Sequence, residues 1–336
     1  MLPWPISLFP QEEQILSVAI VGRITLLILK NEGAEMLFKA SPVESRMKTH
    51  ADCASCLMKR VLFQARLADN GTEFAAVQAG VREYARLMSP DISSAEIATH
   101  VHSAAYAAMG VSDPYLDMKL EADRVAEKYV PDAQSFIDSS EDRFAAAVRV
   151  SIVGNIMDFG MGIAIDSPDE FGRMFQSLLD QGVGSDQTEE LRRLVEGCET
   201  VLYAFDNCGE DQFDRLLIRE IRAMGKRVVG VVRGAPILND VSLDDALRIG
   251  MDRELDRIVS TGGFCVGFSE GLMKEDLKEE MGRAGVLIAK GMANYESLSD
   301  MEVPLPVAYL LRAKCLPVAS SLDVPVGTNV VRVESR

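Results

Sequence analysis

The sequence predicts an α/β fold in which a helical N-terminal part precedes a parallel sheet with helices on both faces. Three observations carry this. From Cys53 to about Gly197 apolar residues recur at helical spacing. From Thr200 onward short apolar runs alternate with amphipathic stretches. Four of those runs stop abruptly at polar clusters, as strands do when their ends deliver side chains into a cleft.

In the helical part, Val61, Leu62, Ala65, Leu67 and Ala68 open one amphipathic stretch, and Phe74, Val77, Val81 and Tyr84 mark the next. Pro90, the Gly110-Val111-Ser112-Asp113-Pro114 turn and Pro131 are expected to separate the helices. A further helix is expected to start at Pro168, with Ser167 as its cap. Residues 201–205 then read as a strand, followed by a helix whose face carries Phe213, Leu216, Leu217, Ile221 and Met224. Residues 226–232 are almost continuously apolar, as a strand buried on both faces must be. Ser242, with Asp245 three residues on, starts a helix by a capping box. Short strands at residues 257–259, 286–289, 307–311 and 329–333 complete a right-handed crossover sheet.

At 336 residues, 48% apolar and 26% charged, the chain can bury a core and is not disordered. A net charge of −16 excludes a nucleic-acid footprint and any long-range steering of an anionic substrate. A phosphate ester would have to be held by local cations. The six scattered cysteines form no disulfide framework, so a reducing cytoplasm is expected. The apolar stretch Ile15 to Lys30 is interrupted by Arg23 and too short for a membrane span. Acidic Glu12 and Glu13 before it, with no small-residue cleavage site after it, fit a secretory signal poorly. Because Met47-Lys48-Thr49-His50 looks like an ordinary protein start, residues 1–46 are expected to be an upstream extension. The alternative is a β-hairpin packing on the body.

The polar clusters at the strand ends are Asp206-Asn207-Cys208-Gly209-Glu210, the run from Arg233 to Asn239-Asp240, Ser260-Thr261-Gly262-Gly263, and Lys290-Gly291 to Asn294-Tyr295-Glu296. In a parallel sheet all four emerge on one edge. The carboxylates of Asp206 and Asp240 and the amide oxygen of Asn207 suit a hard divalent cation rather than zinc. Lys290 and Arg233 are the cations at hand to neutralise a phosphoryl group. Singly, each cluster is more often a turn or a helix cap. Their joint occurrence at successive strand ends carries the reading. Cys53-x-x-Cys56, with His50 just ahead, invites a zinc or redox reading, but no second Cys or His pair stands at matching spacing. On a helix the two thiols share a face and can pack as small hydrophobes. His100 and His102 are expected to face solvent.

Together these residues resemble the damage-control phosphatase family, long described as domain of unknown function 89, from Cys53 to about Val333. The elements that carry the resemblance are Asp206-Asn207-x-Gly209-Glu210, Pro236-x-x-Asn239-Asp240, Lys290-Gly291-x-x-Asn294-Tyr295-Glu296 and the Asn155-x-x-Asp158 run. Cys53-x-x-Cys56 is similar to the family's prokaryotic branch. The resemblance implies a helical domain over residues 47–197 and a Rossmann-like three-layer α/β/α sandwich with a mostly parallel sheet over 198–336, carrying the metal site. It implies one divalent ion (Mg, Mn, Co or Ni) held by Asp206, Asn207 and Asp240, and hydrolysis of small phosphometabolites by metal-activated water. Asn155, Asp158 and Lys290 would line the substrate site, joined by Arg233, Asn239, Asn294 and Glu296. Asp158 or Glu210 is the expected general base, and the sequence does not choose between them. Cys208 stands where a covalent aspartyl-phosphatase would carry a second Asp, which disfavours that route. The alternatives are an S-adenosylmethionine-dependent carboxyl methyltransferase, an activity also assigned to relatives, and a non-catalytic metal- or phosphate-binding regulatory domain. The methyltransferase's glycine-rich loop after the first strand is missing.

Overall fold

Strands that are apolar at every position need cover on both faces, and the central run Thr200–Ala204 is buried throughout. The computed structural model describes residues 15–21, 24–31, 34–39, 47–155 and 168–335. Residues up to 45 form a unit of their own, and 46–336 a second. In the first, β1 (Ile15–Val21), β2 (Ile24–Asn31) and β3 (Ala34–Lys39) make an antiparallel meander, with Val18 opposite Leu27 and Leu29 opposite Met36. Three strands stand there instead of a hairpin.

The second unit opens with α1 (Asp52–Ala68), α2 (Glu73–Leu87) and α3 (Ser94–Met109), which share a core of Val61, Ile97, Val101 and Tyr106. That core also takes in Ile237, Leu238 and Val266, so these helices cap loops of the sheet part. Next come α4 (Leu116–Ser139), α5 (Arg143–Gly154), α6 (Pro168–Gln181), β4 (Ser185–Asp186) and α7 (Thr188–Glu196). Pro131 does not end a helix, because α4 runs through it. Ala122, Val125 and Ala126 before the proline and Ala133 and Ile137 after it are all buried, and this packing outweighs a lost backbone hydrogen bond. The expected cap Ser167 lies outside the described residues.

Then follow β5 (Thr200–Ala204), α8 (Glu210–Ala223), β6 (Arg227–Val232), α9 (Leu243–Arg248), β7 (Arg257–Ser260), α10 (Glu275–Arg283), β8 (Val286–Lys290), α11 (Gly291–Leu298), β9 (Val307–Arg312), α12 (Leu316–Ser321) and β10 (Asn329–Glu334). The capping box of Ser242 and Asp245 is formed. The sheet order is β4-β10-β9-β8-β5-β6-β7. Strands β5 to β9 are mutually parallel, whereas β10 runs antiparallel to β9 with Val331 opposite Leu310. Edge strand β4 comes from the stretch that read as wholly helical. Its two residues are too few to show a period, and Gly184 N–H donating to Asn329 O at 2.9 Å anchors it beside β10.

Side chains alternate across β5. Val201, Tyr203 and Phe205 join a core with α4, α5, α7 and α8, while Leu202 and Ala204 join one with α10 and α11. Helices α5 and α8 approach so closely that a Cβ on Gly154 would lie 3.0 Å from the Phe213 ring. From β5 the chain proceeds to β6 and β7 on one side and returns to β8 and β9 on the other. The order therefore reverses between β5 and β8, and a crevice opens at their carboxyl ends. Among the described residues no helix is long and apolar enough to cross a membrane.

Candidate metal and substrate site

The loops after β5 and β6 are zipped together by backbone hydrogen bonds: Cys208 N–H to Asn239 O at 2.9 Å and Val241 N–H to Asp206 O at 2.8 Å. That pairing brings Asp206, Asn207 and Asp240 to one cleft of about 160 Å³. Leu238, whose side chain also lines the cleft, holds a left-handed backbone (φ 50°) and donates its N–H to the Tyr106 hydroxyl at 3.0 Å. Gly291 is obligatory on the β8 side. Its φ is +72°, and a Cβ there would stand 1.8 Å from Asp206 Oδ2.

Behind these three side chains lies a second, fully buried polar layer. Arg233 Nε donates to Asp240 Oδ2 at 2.6 Å, its Nη1 donates to Asn294 Oδ1 at 2.8 Å and Gly267 O at 3.5 Å, and its Nη2 faces Asp206 Oδ1 at 3.5 Å. Lys290 Nζ donates to Glu210 Oε1 at 2.6 Å, Asp214 Oδ1 at 2.7 Å and Ser151 O at 2.9 Å. Asn155 Nδ2 bridges Asp206 Oδ2 at 3.1 Å and Glu210 Oε2 at 2.7 Å, and Asn207 Nδ2 reaches the same two oxygens at 2.8 and 3.0 Å. Because carboxylates only accept, both amides must turn their NH₂ groups to them and their carbonyl oxygens away. Asn155 Oδ1 is buried without a hydrogen-bond partner among the described residues.

These residues fit a divalent cation. Among the described residues, the four buried carboxylates Asp206, Asp240, Glu210 and Asp214 form ion pairs with two buried cations, Arg233 and Lys290. Burial, then the neighbouring charges of Asp240 and Glu210, pushes the Asp206 carboxyl well above its ordinary range. Burial also raises Asp240, against the pull of Arg233, and lifts Asp214 to about 6. A dication relieves this repulsion, and the oxygen donors of Asp206, Asn207 and Asp240 are of the hard kind that Mg²⁺ or Mn²⁺ prefer.

The sequence-predicted residues separate into two depths. Asp206, Asn207, Asp240 and Glu296 line the cleft. Lys290, Arg233, Asn294 and Glu210 do not; they were expected on the substrate or as the base, but each is buried behind the wall, with only Arg233 Nη2 among their side-chain nitrogens and oxygens left without a hydrogen bond, 3.5 Å from Asp206 Oδ1. Asn294 ties the ends of β5 and β8 by donating to Phe205 O at 3.0 Å and Lys290 O at 2.7 Å. Asn239 is also buried, at 3% exposure, and its carbonyl holds the Cys208 N–H. Asp158 lies outside the described residues.

Sequence reasoning missed Lys314, Arg60 and His102, all on the cleft wall. Lys314 stands just past the end of β9, so the strand-end rule would have found it; its Nζ donates to Asn155 O at 2.5 Å. Arg60 and His102 sit in helices with no local signal. His102 is not solvent-facing as expected: it is fully buried, neither ring nitrogen has a hydrogen-bond partner among the described residues, and burial pushes its pKa down to about 3. Cys53 and Cys56 are free, half-buried and on the same wall; burial raises the Cys53 thiol, which suits packing better than thiolate chemistry.

A family model for the damage-control phosphatase ARMT1-like domain matches residues 49–330. A damage-control phosphatase of Archaeoglobus fulgidus is 35% identical over 291 residues, covering 85% of this chain and 99% of the relative. A damage-control phosphatase of Pyrococcus horikoshii is 30% identical over 291 residues, covering 84% of this chain and 97% of the relative. The fold is similar to the crystal structure of a DUF89 family protein from Pyrococcus horikoshii, with a TM-score of 0.76, 29% identity, and coverage of 85% of this chain and 99% of that one.

Two predictions follow the geometry. Below its ordinary pKa of 6.5, His102 takes up a proton in the unfolded chain but not in the folded one, so stability falls as pH drops from 6.5 toward 3. At pH 5 this amounts to about 2 kcal/mol. Urea unfolding of His102→Phe should lose correspondingly less stability between pH 7 and pH 5 than the native sequence does; equal losses count against the assignment. Gly291→Ala should displace the Asp206 carboxylate and weaken Mn²⁺ binding at least ~10-fold by calorimetry. Unchanged affinity would show that this close approach is dispensable.

Proposed function

The chain belongs to the damage-control phosphatase ARMT1-like family and is a phosphatase; from that premise we propose that it hydrolyses small phosphomonoesters in the cleft bounded by Asp206, Asn207 and Asp240, with one divalent cation bound there. The carrying observation is that these three oxygen-bearing side chains share one cleft with two cationic ones, Lys314 and Arg60. The A. fulgidus and P. horikoshii relatives named as damage-control phosphatases support a damaged or side-product phosphometabolite as the substrate class.

When bound, the cation supplies Lewis acidity toward a phosphoryl oxygen and a lowered pKa for water. The protein's own residues do the rest. Lys314 and Arg60 take up phosphate charge from the cleft wall. Arg233, joined to Asp240 and facing Asp206, fixes the spacing of the two carboxylates. Lys290 and Glu210 hold Asn155 and, through it, the Asp206 carboxylate, and are therefore positioning residues. Glu210 has both oxygens engaged, which argues against it as base; Asp158 is the proposed base, on its sequence match alone.

No nucleic acid is a proposed partner for a chain of net charge −16. The six free cysteines support a cytoplasmic location. The methyltransferase reading is not favoured, since Asp206-Asn207-Cys208-Gly209-Glu210 stands where a glycine-rich cofactor loop would have to be.

With p-nitrophenyl phosphate and Mg²⁺, Mn²⁺, Co²⁺ or Ni²⁺ in turn, turnover should require metal and vanish in EDTA. Asp206→Ala should lower kcat on the order of 100- to 1,000-fold with the fold retained. Lys314→Ala should lower kcat/KM by about 10- to 100-fold, mainly through KM. Full metal-dependent turnover by Asp206→Ala would overturn the assignment.

A further inference from the structure

A second cluster of donor atoms lies among residues that do not line the cleft, although the Cys208 thiol donates to Asp240 O at 3.9 Å. An oxygen of Asp123, an oxygen of Asp211 and the Cys208 sulfur all lie within 4.8 Å of one another. All three residues are buried, Asp211 to 1% exposure and Cys208 completely. Asp123 is held on both sides: its Oδ1 accepts from Gly209 N–H at 3.0 Å and its Oδ2 from Arg248 at 2.8 and 3.1 Å. Asp211 differs. Both of its carboxylate oxygens are buried with no hydrogen-bond partner among the described residues, and one of them belongs to this cluster. A buried carboxyl lacking any donor costs several kcal/mol unless a proton or a cation satisfies it. Nearby Lys119 is spent on Asp113 and Asp245; Arg215 gives one terminal nitrogen to Ile249 O, and although its charge acts on Asp211, it makes no hydrogen bond to that carboxylate.

We propose that Asp123, Cys208 and Asp211 form a second cation site, distinct from the catalytic one and selective for a borderline-soft divalent ion such as Zn²⁺ or Co²⁺. One thiolate with two carboxylates suits such ions, whereas Mg²⁺ and Ca²⁺ shun sulfur. Bonds of about 2.3 Å to sulfur and about 2.1 Å to oxygen would draw the three donors slightly closer. Entry of the ion displaces the Cys208 thiol proton to solvent and leaves a thiolate–metal bond. The site would be structural. Asp123 belongs to α4, while Cys208 just precedes α8 and Asp211 lies in its first turn, so the ion would cross-link a helix of the N-terminal part to the loop that carries Asp206 and Asn207. Backbone geometry already joins these parts: Gly209 (φ +84°) lies so near α4 that a Cβ there would be 3.0 Å from Ala122 O.

Co²⁺ titration of the metal-free full-length chain tests this without reference to phosphatase activity, in a Cys53→Ser/Cys56→Ser/Cys315→Ser background that removes the thiols lining the cleft. The expected result is a thiolate-to-cobalt charge-transfer band, absent after Cys208→Ser, with one Co²⁺ fewer bound per chain. Asp211→Asn, which keeps the side-chain shape, should weaken that band's Co²⁺ affinity by about 100-fold. No band, a band that survives Cys208→Ser, or an affinity indifferent to Asp211→Asn would overturn the proposal and leave Asp211 as a buried protonated acid. Because the band reports thiolate ligation alone, failure of the catalytic reading would not mimic any of these outcomes.

Discussion

Arg233 and Lys290 are closed off from water and yet fully charged, and each is shared between acids that face the sheet's carboxyl edge. Arg233 bonds Asp240 and faces Asp206; Lys290 bonds Glu210 and Asp214. Taking such groups out of water is unfavourable, and removing one partner of a buried pair typically costs 3–5 kcal/mol because the other charge is stranded. The polar layer therefore has to assemble as a whole. Once assembled, it fixes the orientation of the outer side chains from behind, so their remaining oxygens present a preset geometry to whatever enters the cleft. Gly291 is part of the same constraint, since only an absent Cβ lets β8 close on Asp206.

The sheet was legible because its strands are buried on both faces and so read as plain apolar runs. The polar residues that stop two of those runs, Asp206, Asn207 and Asp240, come together at one cleft. Depth was not legible. Lys290 and Asp206 carry the same signal, a polar side chain at a strand end, yet Lys290 Nζ turns back toward Ser151 and Asp214 while Asp206 faces the cleft. What separates them is the α5–α8 packing beneath, set by residues such as Gly154 and Phe213 that no motif flags. His102 was misread for a related reason. Helix α3 is rich in alanine, so its buried face gives a weak apolar period, and Ala95, Ala98, Val101 and Ala105 are buried beside the histidine.

The cap formed by α1 to α3 explains the mixed chemistry of the cleft. Its floor is the polar edge of the sheet, whereas its wall is Leu57, Ala98, Leu238, Val266 and Met292. A polar floor under an apolar wall excludes water around the reacting group while fixing orientation by a few hydrogen bonds. Leu57 and Ala98 of that wall come from α1 and α3, so the helical part contributes to the cleft that the sheet part floors.

The charge of that cleft also constrains the order of events. Asp52, Asp206, Asp240 and Glu296 line it against Arg60 and Lys314, so acids outnumber bases in the cleft where an anionic phosphate is proposed to bind. Burial raises the Glu296 carboxyl and lessens the imbalance, but Asp206 and Asp240 remain at the floor. In a partly desolvated site, like charges a few ångströms apart repel by several kcal/mol. In the proposed function a bound cation would keep Asp206 and Asp240 ionised and offset their repulsion of a phosphate ester, so positive charge would arrive with the ester or before it, held by those same carboxylates.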